Sequence, residues 1–195
     1  MLPSSLLYGL QKQLRTQPKQ LMIDMEEIKL EQLIHSAEYV GSLSVKAKME
    51  IYDRIQENQS GFMETVFSLR SLDVPDEKIE HILHLLLVFY LVFTDHEKIT
   101  LPSVSEQQVL STDEKTGSLF HILSKRSTDE RRQFLAALIL ISPARYVFAY
   151  ALKYLMGNGL VEEGDQANVY CITAIDKIFD CFCKLRKDYF AKPKE

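Results

Sequence analysis

The run Ile82-Leu83-His84-Leu85-Leu86-Leu87-Val88-Phe89-Tyr90-Leu91-Val92-Phe93 decides the fold. With His84 neutral it has no formal charge, and a helix built from it is apolar on every side, which places it at the centre of a bundle. Its 12 residues are too few to cross a bilayer. Asp73-Val74-Pro75-Asp76-Glu77 precedes it, with proline where a first turn tolerates a missing donor and acids where the helix dipole favours them. Thr94 to Lys98 is expected to return the chain to solvent, giving a central apolar helix over about 76–94.

Amphipathic segments on both sides offer faces to enclose that helix. Leu21, Met25, Ile28, Leu33, Ile34 and Ala37 recur at helical spacing, with Asp24, Glu26, Glu27 and Glu31 as an acidic outer face. Gly41-Ser42 ends this helix, and Val45, Met49, Tyr52 and Ile55 make the stripe of the next. Asn58 to Gly61 reads as a turn before a short helix, Phe62 to Leu72. Beyond Pro102, three serines each followed three residues later by glutamate match the N-terminal capping pattern: Ser103 with Glu106, Ser111 with Glu114, Ser127 with Glu130. Phe134 to Ile141 is strongly apolar. Pro143 either kinks that helix or starts another running to Met156, so an apolar helix pair is expected near 128–156. Gly157-Asn158-Gly159 is a stop. In the last helix Val169, Ile172, Ile175, Phe179, Phe182 and Tyr189 form a stripe, and the basic stretch from Lys184 to Lys194 suits a helix C-terminus.

No run shows strand alternation. The pattern predicts an all-α, single-domain bundle of about eight helices: an N-terminal helical appendage over 1–20, an all-helical domain over 21–190 and a disordered tail over 191–195. A net charge of −4 argues against nucleic acid as a partner, because phosphate binding usually shows as clustered Lys and Arg. The three cysteines, an odd number confined to the last quarter of the chain, suit a reducing compartment, and a cytoplasmic location is expected. A secretory signal is not expected, since Pro3, Gly9 and Gln11 break up the N-terminal leucines. No membrane span is expected either: the longest candidate, Phe134 to Met156, contains Ser142, Pro143, Arg145 and Lys153.

Chemistry has few footholds. Glu77, Glu80, His81 and His84 fall roughly on one side of a helix and form a weak candidate metal face. The alternative is that the acids form a solvated first turn and His84 is a core histidine donating to a carbonyl. Arg145 stands beside Ile141, Ala144, Tyr146, Val147 and Phe148, where a lone guanidinium would be costly. The break at Pro143 lifts it to solvent, an acid pairs with it, or an anionic ligand does. Tyr146, Tyr150 and Tyr154, four residues apart, make an aromatic strip that either borders a pocket or serves as core or interface. Lys125-Arg126 and Arg131-Arg132 flank acids that dilute their field. Phosphate-loop, nucleophile-elbow and zinc-helix motifs are missing, so no catalytic residue and no cofactor is assigned. The expected function is that of a non-catalytic helical interaction or regulatory protein, working through a protein partner or through self-association as a homodimer. The alternative is a bundle that holds a small apolar or anionic ligand in a pocket anchored by Arg145, Tyr146 and Tyr150.

Overall fold

The structure, a computed structural model, describes residues 28–111, 135–136, 138–140, 142–162 and 164–191. They are all-helical: Leu30–Ser42 (α1), Val45–Asn58 (α2), Ser60–Phe67 (α3), the 3-10 helix Ser68–Leu72, Asp76–Phe93 (α4), Glu106–Leu110 (α5), Arg145–Gly157 (α6) and Gln166–Ala191 (α7). Residues 135–136 and 138–140 are also helical, and no strand occurs among the described residues. The N-terminal appendage, the 191–195 tail beyond Ala191, the caps at Ser127 and Glu114, and both basic pairs lie outside the described residues.

α4 is the axis. Every residue from Leu85 to Phe93 is buried, as the uninterrupted apolar run requires. α7 and α1 pack along it most extensively, while α2, α3 and α6 cover the rest. Aromatic rings fix the junction of α3, α4 and α7: Phe62 stacks on Phe182 at 4.2 Å between centroids, and Phe93 stacks on Phe182 at 5.2 Å. Phe89 meets Phe179 and Phe182 edge-on at 5.8 Å and 6.5 Å. α7 is itself enclosed on more than one side, because Cys181 and Cys183 point about 200° apart and both are buried. At its other end Lys78 of α4 pairs with Asp165 and donates to Asn168 Oδ1 at 2.6 Å, which ties the start of α7 to the first turn of α4.

Four local expectations are corrected. The basic stretch read as suiting the C-terminus of α7 does not all serve that end: Arg186 is 1% exposed, donates to the Phe93 carbonyl at 2.7 Å and lies over the Phe190 ring. It thereby serves one of the carbonyls that the last turn of α4 leaves without a helical partner. Next, the turn expected over Asn58 to Gly61 shrinks to one residue, Gln59, whose buried side chain donates to the carbonyls of Leu101 and Pro102. These bonds, with Gly61 N donating to Val104 O at 3.1 Å, hold 101–105 extended across the start of α3. That strap delays the following helix, so its capping box is Ser105 with Gln108 rather than Ser103 with Glu106. Finally, the residues after α4 do not simply return to solvent: Thr94 is buried, and Asp95, His96 and Glu97 fold back in the left-handed region. At Pro143 the chain starts a new helix, α6, as one of the two expected alternatives.

Gly61 marks the closest approach of α3 to the strap, since a Cβ there would press into the backbone of Val104, Ser105 and Glu106. Gly61→Ala is expected to lower the unfolding free energy by about 1–3 kcal/mol through overpacking. Gly41→Ala, where a Cβ meets open space on α1, should instead raise it by roughly 0.5–1 kcal/mol through helix propensity. Chemical denaturation of both variants checks the pair.

Candidate functional site

α4 loses its apolar uniformity in its first half, and the polar side chains there meet α6. His81 and His84 are one turn apart on α4, and Tyr150 and Tyr154 are one turn apart on α6, so two matching ladders face each other. A hydrogen bond of 3.0 Å joins His81 Nδ1 and the Tyr154 hydroxyl, and one of 3.2 Å joins His84 Nε2 and the Tyr150 hydroxyl. The His84 ring also stacks on Tyr154 at 4.6 Å, nearly parallel. Tyr52 and Lys48 of α2 border the same cluster. All six groups are half-buried, so the strip is an edge of the core that stays open to solvent.

Burial, with help from neighbouring groups, holds His84 and the three tyrosines in their uncharged forms. Burial, then the positive charge of Lys48, then His81 hold the His84 imidazole down at about 4. Burial raises the hydroxyls of Tyr150 and Tyr154, and pushes Tyr52 up to about 12 with help from Tyr154 and Glu80. At neutral pH His84 and the three tyrosines are therefore uncharged. General acid–base chemistry wants a group tuned towards the working pH, and these four are tuned away from it. The thiols behave alike: burial raises Cys171 to about 11 and Cys183 well above its ordinary value, which suits inert packing rather than a reactive thiolate.

No protein-family model matches the chain, and no similar protein was found among curated proteins or solved structures.

The sequence-derived candidates separate in space. Glu77 and Glu80 are exposed, while His81 and His84 turn inward to the tyrosines. No set of three or more His, Cys, Asp or Glu side chains comes together to hold a metal among the described residues. Arg145 opens α6 as an exposed side chain, its guanidinium 4.9 Å from the centre of the Tyr146 ring and donating to the Tyr146 hydroxyl at 3.3 Å. Tyr146 and Tyr150 continue from it into the strip. The apolar cleft between α6 and α7 lies elsewhere: about 20 Å³, lined by Phe148, Leu152, Leu155, Ile172 and Phe179 among others. That volume holds roughly one water, far below the ~300 Å³ or more of a ligand pocket. What the sequence did not reveal is the pairing of each histidine with a tyrosine about 70 residues away. The usable signal was the repeat spacing on both helices.

Because His84 holds fewer protons folded than unfolded, it contributes stability that is complete above its ordinary 6.5 and is lost as pH falls towards about 4. The unfolding free energy should drop by about 2 kcal/mol across that window, after a discount for partial solvent screening. In His84→Gln the drop should shrink accordingly. Denaturant titrations at several pH values read the difference.

Proposed function

We propose that this chain is a non-catalytic helical protein that works by presenting the strip of Arg145, Tyr146, Tyr150 and Tyr154 to a protein partner or to a second copy of itself. The observation that carries this reading is the state of the strip. Its tyrosines are half-buried, the hydroxyls of Tyr154 and Tyr150 are oriented by His81 and His84, and the exposed Arg145 stacks on Tyr146 and donates to its hydroxyl. Tyrosine and arginine are the residues that most often anchor interfaces, because a rigid amphipathic ring buries much area at little entropic cost. A strip already ordered by its own hydrogen bonds loses less freedom on docking. The uncharged state of His84 and the tyrosines favours a binding role over a chemical one, and the net charge of −4 favours a protein over a nucleic acid. No described helix is long and apolar enough to cross a membrane. Three buried free cysteines are in keeping with a reducing, cytoplasmic setting.

The small-ligand alternative has less support, since the 20 Å³ cleft is not lined by Arg145, Tyr146 or Tyr150. Native mass spectrometry of the purified chain separates the two readings: a co-purifying small molecule favours the ligand, a bare mass the interface. For the interface, a photoreactive phenylalanine analogue replacing Tyr146 should yield one discrete crosslinked species. Tyr150→Ala should weaken that association by about 30-fold, the effect of losing an anchor worth roughly 2 kcal/mol. A monomer by sedimentation that forms no crosslink at position 146, in isolation or in its native lysate, would overturn the proposal.

A further inference from the structure

The two flanks of the tyrosine strip carry opposite charge. At about 100° per residue along α6, Tyr154 and Tyr150 reach α4, Tyr146 lies further round, and Lys153 and then Arg145 follow on the side turned away from α4, both exposed. α6 contains these two cations and no acid. On α4 the sign reverses. His81 faces α6, whereas Glu80 lies on the side turned away from it, where its charge reaches Tyr52 of α2. Glu77, one turn before His81, is exposed like Glu80, and the intervening Lys78 is matched to Asp165. Glu77, Glu80 and Lys153 have no ion-pair partner among the described residues. Apolar side chains are left open on both flanks as well. Val45 and Met49, which share a face of α2 with Tyr52, are 80% and 52% exposed, and Met156 near the end of α6 is 56% exposed.

We propose that the occupant of this surface is a second copy of the chain, docked about a two-fold axis that runs along the strip, so that the flank of Glu77 and Glu80 on each copy meets the flank of Lys153 and Arg145 on the other. This assignment rests on the strip being a docking surface, and fixes which partner docks there and how. Charge selects the partner. A face that is acidic along one edge and basic along the other is complementary to itself once turned over, and a two-fold contact uses the same patch on both copies. An acidic peptide would satisfy the basic edge alone. Lys48, half-buried beside His84, adds one cation on the acidic side, where the two glutamates outnumber it. The same rotation carries Val45 and Met49 towards Met156 of the other copy and sets the tyrosines of the strip against their counterparts. The contact then has an aromatic and apolar centre with charges at its edges, the usual anatomy of a protein interface. Each dimer contains the charge contact twice.

The test is analytical ultracentrifugation of the full chain across a dilution series. The unmodified chain should show a concentration-dependent dimer. Glu80→Lys and Lys153→Glu, both at exposed positions, should each raise the dimer dissociation constant by about tenfold or more, because each sets like charges together at both contacts. An equimolar mixture of the two variants should recover the association, since a mixed dimer again opposes unlike charges at both. Recovery also shows that neither variant has lost its fold. An unmodified chain that stays monomeric, single variants that associate as it does, or a mixture that fails to recover contradicts the second copy as partner. Should the chain stay monomeric while the photoreactive analogue at position 146 crosslinks a different protein, the strip keeps its docking role and only the choice of partner falls.

Discussion

The structure depends on enclosing one uncharged helix. From Leu85 to Phe93 no side of α4 is left for water, so every neighbour is recruited to the same task and the bundle has an axis rather than a layered core. The constraint extends to the backbone. An apolar helix that ends inside the protein leaves carbonyls that need donors, and Arg186 is brought in to meet one of them at Phe93. A buried guanidinium is expensive alone. Here it is bonded to a helix C-terminus and laid over an aromatic ring, both of which favour a cation.

Much of this was legible because it is dictated by local pattern. The charge-free run of α4, the glycines that stop α6 and the stripe of α7 each depend on residues within a few turns of one another, and each element formed where those residues predict. The parts that were not legible involve partners far away in the chain. Arg186 resembles its exposed neighbours Lys184 and Lys187 in sequence, and only the arrival of Phe93 beside it makes it a core residue. Ser103 and Ser105 are both good caps, and the choice between them is made by Gln59 and Gly61 holding the strap extended. The left-handed turn has no glycine to announce it. Its conformation is imposed by α1 and α2.

The same division applies to the strip. Four-residue spacing exposed the tyrosines as a set, and three-residue spacing exposed the histidines, yet nothing in either helix says that the two sets face one another. Once they do, their chemistry follows from burial. The two imidazoles, of a type that elsewhere holds metals or moves protons, are here bonded to phenols, and His84 is kept uncharged, so the side chains of this edge are ordered by their own hydrogen bonds.

The contact between Arg186 and Phe93 spans 93 residues of chain. During synthesis at ~5–20 residues per second, α4 therefore leaves the ribosome several seconds before α7 exists to cover it. Through that interval the phenylalanines of α4 have only the earlier helices for shelter. Provisional packing by α1 to α3 is the cover that the chain itself supplies until its last helix is made.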